Sequence, residues 1–121
     1  MERNFGKKEW IIPDGFMSDT QKGELVSHEA VCVLNLSEIT AEIKITVFFE
    51  DREPIEGFTA TCLPRRTNHI RLDKIIGKNN IKIPHEVPYA VLVESNTPIV
   101  CQHSRMDVTQ PEMALMTTIA Y

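Results

Sequence analysis

Two pairs of polar residues in strand-like segments are the most informative positions of this sequence. His103 and Arg105 stand two apart in 97-TPIVCQHSRMD-107, and His69 and Arg71 repeat that spacing in 64-PRRTNHIRL-72. Residues two apart on a β-strand point to the same face of the sheet. Each pair therefore forms a row of polar heads, which belongs either to a solvated outer face or to the wall of a binding site.

These side-chain types suit the recognition of a small polar ligand. The guanidinium group of arginine is a planar fork of donors that matches carboxylates, phosphates and pairs of sugar hydroxyls. The apolar Ile70 and Leu72 alternate with the second polar pair, so that pair is expected to point away from the core. The pattern does not decide which face of residues 99–107 is buried. A solvated face with an Arg–Asp ion pair would explain the same residues without any function.

Signals for catalysis are weak in this chain. It has no Gly-rich phosphate loop, no G-x-S-x-G elbow and no H-E-x-x-H motif. No two of the four histidines stand two or four apart, so a metal site would have to be assembled across strands. We expect a protein that is not an enzyme and that needs no cofactor. The alternative is a metal-dependent enzyme in which histidines converge with Glu29 or Glu86.

Length, charge and cysteine usage narrow the class of protein. A chain of 121 residues predicts a single domain, 1–121. The net charge of −4 creates no overall basic field, so nucleic acid is not an expected partner. The sequence contains neither a signal-peptide core nor an apolar run of about 20 residues, so we expect no membrane-embedded segment. The three cysteines are widely spaced in apolar surroundings, which is typical of reduced core thiols in a cytoplasmic protein.

The periodicity of the chain predicts an all-β fold with about eight strands. The clearest strand is 41–50, in which apolar residues alternate with polar ones. A loop is expected at 18–24, a tight hairpin or corner at Asn96-Thr97-Pro98, and one short helix at 109–117. The predicted strands are 9–13, 27–35, 41–50, 58–63, 66–72, 87–95, 98–106 and 117–121. Short strands at regular spacing are typical of a β-sandwich or barrel.

Several segments, taken in order along nearly the whole chain, resemble the Anabaena sensory rhodopsin transducer family. The most specific are Ser27-His28-Glu29, Pro64-Arg65-Arg66-Thr67, Ile83-Pro84-His85, Ser95-Asn96-x-Pro98 and Gln102-His103-x-Arg105-x-Asp107. The resemblance implies a cytosolic β-sandwich of jelly-roll type that assembles as a homotetramer. It also implies binding of small molecules, with sugars as the proposed class. The founding member of the family is a soluble partner of a membrane photoreceptor, and segments 17–25 and 73–82 look less like that member.

We therefore predict a non-catalytic signalling module with a polar pocket or a cleft between subunits. Its expected ligand is a sugar or a sugar acid, and its predicted ligand-binding residues are His28, Glu29, His69, Arg71, Gln102, His103, Arg105 and Asp107. In this hypothesis the arginines clamp hydroxyls or a carboxylate, each histidine makes one hydrogen bond, and Asp107 orients Arg105. A protein-interaction adaptor that binds no ligand is the main alternative.

Overall fold

The fold consists almost entirely of β-strands. A computed structural model describes residues 5–20 and 23–121; residues 1–4 of the predicted domain and residues 21–22 of the predicted loop lie outside the described residues. The strands are β1 (Lys7–Gly15), β2 (His28–Asn35), β3 (Ala41–Phe49), β4 (Ile55–Cys62), β5 (Arg66–Arg71), β6 (Tyr89–Asp107) and β7 (Ala114–Ile119), with a 3-10 helix at Lys78–Asn80. No helix in these two described ranges is long and apolar enough to cross a membrane. The all-β class is confirmed, whereas the jelly-roll sandwich stays a prediction.

All strand pairings are antiparallel, and β6 connects the two parts of a curled sheet. One path of hydrogen-bonded neighbours runs β4-β3-β6-β2-β5, while β1 and β7 also pair with β6. The first half of β6 lies between β1 and β3, so that Val93 is opposite both Trp10 and Ile45. The second half lies between β2 and β7, where His103 is opposite Val31. Residues at the two ends of β6 therefore belong to different parts of the sheet.

The boundary predicted between strands 87–95 and 98–106 is not a hairpin. The strand β6 runs through it without a break, which reduces the eight predicted strands to seven in the described part of the chain. Asn96 and Pro98 lie where β6 leaves β3 and joins β2. There the side chain of Asn96 accepts the Glu42 N–H through Oδ1 at 2.7 Å. Proline has no N–H to donate to a neighbouring strand. It is tolerated inside β6 because it lies where the strand changes its partner.

The helix predicted at 109–117 is wrong, because residues 114–119 form strand β7 on the edge of β6. A single helix of nine residues is marginal in water without tertiary packing. Pairing with β6 instead satisfies backbone groups over six register positions, from Ala114 opposite Asp107 to Ile119 opposite Gln102. The β-branched residues at 117–119 also favour a strand. Pairing with the free edge of β6 therefore outweighs the local preference for a helix start at Pro111.

The hydrophobic core lies between the inner faces of the curled sheet. Every second residue of the central strands is buried there, as period-two alternation predicts. The main contributors are Val31, Val33, Ile43, Ile45, Val47, Phe58, Val91, Val93, Ile99 and Cys101. On β5, Ile70 is buried and His69 is exposed, which confirms the predicted orientation of that strand. The sequence pattern did not decide which face of residues 99–107 is buried. In the structure the buried face carries Ile99, Cys101 and His103.

Candidate ligand-binding site

A carboxylate buried among core residues is the centre of the candidate site. Glu29, on β2, is fully buried, yet it follows Ser27 and His28 at the polar start of the strand. Its Oε1 accepts hydrogen bonds from Tyr89 Oη at 2.6 Å and from His103 Nε2 at 2.8 Å. Its Oε2 accepts from the Phe16 N–H and from Arg105 Nε, both at 2.8 Å. Four donors thus surround the two oxygens of this side chain, and we call this set the Glu29 network.

The donors keep Glu29 ionised in spite of its burial. Burial alone raises the pKa of a carboxyl group, but hydrogen bonds from His103, Tyr89 and Phe16 N–H and the charge of Arg105 outweigh it, so the pKa of Glu29 lies below its ordinary value. Burial and the neighbouring carboxylate raise the pKa of Tyr89 well above its usual range, so the phenol is a neutral donor. Because a carboxylate can only accept, His103 donates through Nε2.

The Glu29 network also explains how β6 is held. Tyr89 and Arg105 are 16 positions apart on that strand, a contour of about 50 Å if it were straight. Both nevertheless contact the same carboxylate. The strand must therefore curl around the core until its two ends meet at β2. Gly15 contributes to this junction, since a Cβ at that position would stand only 2.4 Å from Tyr89 Cε2.

Arg105 connects this buried network with a small cleft at the surface. Its Nε is bound to Glu29, whereas Nη2 is buried and has no hydrogen-bond partner among the described residues. The carboxylate of the exposed Asp14 also lies near Nη2, with Oδ2 at 3.8 Å. The arginine cleft, as we call it, has a volume of about 100 Å³, and its walls include Phe16, Ser18, Ser27, Arg105, Asp107 and Thr109.

A larger cleft shares Ser18 and Ser27 with the arginine cleft. This histidine cleft has a volume of about 580 Å³, and its other walls are Asp19, Val26, Asp73, Lys82, Ile83, Pro84 and His85. Its volume lies within the range of small-molecule sites. His85 Nδ1 lies 2.8 Å from Asp19 Oδ1, although the contact lacks the alignment of a hydrogen bond. Glu86 fixes the opposite wall, because its Oε1 accepts from Ser18 Oγ at 3.0 Å and from Asp19 N–H at 2.7 Å.

The structure brings together only some of the eight predicted site residues. Glu29, His103 and Arg105 form one network, and Asp107 lies beside them in the arginine cleft. The others lie on the outer face of the sheet or at its margin. His69 and Gln102 are exposed on either side of Cys32.

The remaining two predicted residues are occupied by local contacts. His28 Nδ1 lies 3.0 Å from the backbone oxygen of Val26. Arg71 holds Asp73 through two hydrogen bonds, of 2.7 Å and 2.8 Å, which places that pair at the rim of the histidine cleft. Burial raises the pKa of Asp73, but the contacts from Arg71 outweigh it and the pKa is lowered. Arg71 therefore reaches the site only through its partner.

The hydrogen bonds of Asp107 are made with Thr109 and not with Arg105, which it was predicted to orient. Asp107 Oδ1 accepts the backbone N–H of Thr109 at 2.8 Å and its hydroxyl at 2.7 Å, and these bonds lower the pKa of Asp107. The carboxylate that orients Arg105 is Glu29. Sequence reasoning missed Tyr89, because a tyrosine at the start of a strand has no distinguishing pattern. It also missed Lys82, whereas His85 was visible within the Ile83-Pro84-His85 motif.

The site offers hydrogen bonding and charge, without a metal cluster or a reactive thiol. In residues 5–20 and 23–121, no three His, Cys, Asp or Glu side chains gather in a way that could hold a metal ion. The four histidines face different surroundings, and His103 alone points into the core. Burial raises the pKa of the Cys101 thiol to about 12, which disfavours the nucleophilic thiolate.

The fold and site together define a small all-β domain with polar clefts beside a buried carboxylate network. The chain belongs to the Anabaena sensory rhodopsin transducer family, whose model matches residues 5–121. The protein in the crystal structure of Thermotoga maritima 1070 is 41% identical in sequence to this chain. The match covers 96% of this chain and 94% of that protein's chain, with a TM-score of 0.85. The Anabaena sensory rhodopsin transducer is 35% identical, covers 85% of this chain and 90% of its own, and gives a TM-score of 0.75. No curated protein matches the chain.

We predict that Glu29→Gln lowers the free energy of unfolding by about 3–5 kcal/mol. Glutamine keeps the size of the side chain, but its amide nitrogen must face two of the four donors and it leaves Arg105 without its counter-charge. Urea unfolding followed by tryptophan fluorescence measures the change, since Trp10 is the only tryptophan. The control is Glu38→Gln at an exposed position, with an expected change within about 0.5 kcal/mol. Equal stability of the two variants would contradict the importance of the network.

Proposed function

We propose that this protein is a non-catalytic signalling module that binds a small molecule, a sugar or a sugar acid, in the two adjoining clefts. The module works in the cytoplasm as a homotetramer of jelly-roll β-sandwich subunits and passes its ligand state to a protein partner. Membership of the transducer family supports the signalling role. The Anabaena relative is named for a sensory rhodopsin, and a membrane receptor is the corresponding class of partner proposed here.

One observation supports ligand binding above the others, namely the orientation of Arg105. Its Nε is fixed on Glu29, which leaves Nη2 as a buried donor beside the arginine cleft. Buried polar atoms are nearly always hydrogen-bonded, so a donor without a protein partner is open to a bond from water or from a ligand. The adjoining histidine cleft supplies hydroxyl, carboxylate, imidazole and ammonium groups beside the apolar wall residues Val26 and Pro84. This mixture suits the hydroxyls and the apolar ring face of a sugar.

Strand β7 supports the assembly of several subunits. It pairs only with β6, so its other backbone edge is free within the described chain. All six of its residues are exposed, including Leu115 at 69% and Ile119 at 67%, and none of them is charged. Natural proteins usually protect a free edge with lysine, proline or other charges. An uncharged apolar edge is self-complementary, so a second copy of the chain fits it without like-charge repulsion.

The same strand keeps a second candidate function open, that of a protein-interaction adaptor without a ligand. In that case Leu115, Ile119 and the neighbouring Met113 would contact a different protein. The two functions differ in what the clefts do, because only the first requires saturable binding of a small molecule.

We expect the wild-type protein to be stabilised by a sugar or sugar acid in a thermal-shift screen, and Arg105→Lys to lose that response. A ligand at about a hundred times its dissociation constant adds about 2.7 kcal/mol to the stability of the folded state. Lysine keeps the positive charge next to Glu29 but lacks the second donor of the guanidinium fork. The screen should include divalent metal ions, because a metal response would favour the enzyme alternative.

Two further variants make this screen decisive. Lys82→Met removes a donor from the histidine cleft at an exposed position, so a weaker response is expected without a loss of folding. Arg52→Lys changes an exposed arginine that pairs with Asp51, and its ligand response should equal that of the wild type. No response of the wild type to any sugar or sugar acid would contradict ligand binding and favour the adaptor.

We predict that the double variant Leu115→Glu, Ile119→Glu has a smaller assembly than the wild type in size-exclusion chromatography with light scattering. Both residues are exposed in the single chain, so glutamate disrupts contacts between subunits rather than the core. The matched control is Ile39→Glu, Leu63→Glu, at apolar positions exposed to 55% and 59% elsewhere on the surface. An unchanged mass for the β7 variant would exclude this strand from the subunit interface.

A further inference from the structure

We propose that the two clefts select a neutral polyhydroxy compound, such as an uncharged sugar, over the corresponding sugar acid. The inference rests on the proposed function and narrows its ligand class. It follows from the carboxylates that lie near Arg105, beside the arginine cleft. Arginine at a binding site usually suggests an anionic ligand, but here the positive charge of Arg105 is already matched by Glu29.

The charges around the clefts include two close ion pairs and three further carboxylates. Arg105 is neutralised by Glu29 at 2.8 Å, and Arg71 by Asp73 at 2.7 Å. Two further carboxylates lie near Arg105: Asp14 forms an exposed ion pair with Nη2 at 3.8 Å, outside the walls of both clefts, and Asp107 lies on the wall of the arginine cleft, where it accepts hydrogen bonds from Thr109.

The third carboxylate, Asp19, lies on the wall of the histidine cleft beside His85. The only ammonium group on the walls of either cleft, within the described part of the chain, is that of Lys82. Asp14, Asp19 and Asp107 therefore add three carboxylates to this region beyond the two ion pairs, and Lys82 adds one ammonium group. A ligand carboxylate at Arg105 Nη2 would be placed next to Asp14 and Asp107, where like charges repel each other. A hydroxyl oxygen can accept the same hydrogen bond without this repulsion.

The remaining walls also suit a neutral sugar. The hydroxyl of Ser18 lies between the two clefts, and the exposed carboxylate of Asp19 can accept hydrogen bonds from ligand hydroxyls. Val26, which is 46% exposed, and Pro84 offer an apolar surface to the C–H face of a pyranose ring. The carboxylates of Asp19 and Asp107 thus offer acceptors to a ligand that carries many O–H groups.

The test compares matched pairs of ligands by isothermal titration calorimetry: glucose with glucuronate and galactose with galacturonate. For the pair that binds, the wild-type protein should bind the neutral sugar at least about tenfold more tightly than its acid at low salt. The double variant Asp14→Asn, Asp107→Asn should narrow this ratio, mainly by tighter binding of the acid. Asparagine at position 107 retains an oxygen that can accept both hydrogen bonds from Thr109, so the fold should be kept.

Salt and a distant control separate electrostatic selection from a loss of structure. Raising NaCl from about 0.05 M to about 0.5 M should also narrow the ratio in the wild type, because salt screens exposed charges. Asp51→Asn, at an exposed ion pair outside the clefts, should leave the ratio unchanged. Tighter binding of the acid by the wild type would overturn this inference and leave the proposed function standing. Failure of both members of both pairs to bind would overturn the proposed function, and the inference with it.

Discussion

The buried carboxylate of Glu29 is the constraint on which the rest of this structure depends. An ionised group in a protein interior is tolerated only when hydrogen bonds and opposite charge replace its water. Here the hydrogen-bond donors come from three places that are distant in sequence. They are the backbone directly after β1, the first residue of β6, and His103 and Arg105 near the end of β6. Burial of Glu29 is therefore possible only after the strands have curled around the core.

This constraint also shapes the candidate site. Because Glu29 holds Arg105 through Nε, the guanidinium group is oriented before any ligand arrives. A donor that is already oriented binds with a smaller loss of side-chain entropy. The nearby clefts contribute acceptors and apolar wall residues on segments that precede β2 and β6. Arg105 thus holds the core carboxylate through Nε and also lines the arginine cleft.

Sequence reasoning could predict the strands but only part of the site. Alternation predicted β3 correctly, since Ile43, Ile45 and Val47 face the core. It could not orient residues 99–107, because His103 breaks the apolar pattern and becomes acceptable inside only through its contact with Glu29, 74 positions away. That contact is a property of the tertiary fold. The same holds for β7, where the free edge of β6 outweighed the local helix signal at Pro111.

The most direct test of this account is the titration of Glu29 itself, followed by carbon-13 NMR of its side-chain carboxyl group. The four donors of the Glu29 network should hold its folded-state pKa below the ordinary value of 4.5. Because the pKa is lowered by folding, the stabilisation by the Glu29 network is fully present above the ordinary pKa. It is lost as the pH falls through the folded-state pKa. A midpoint at or above 4.5, the result expected from burial alone, would contradict the central role of the four donors.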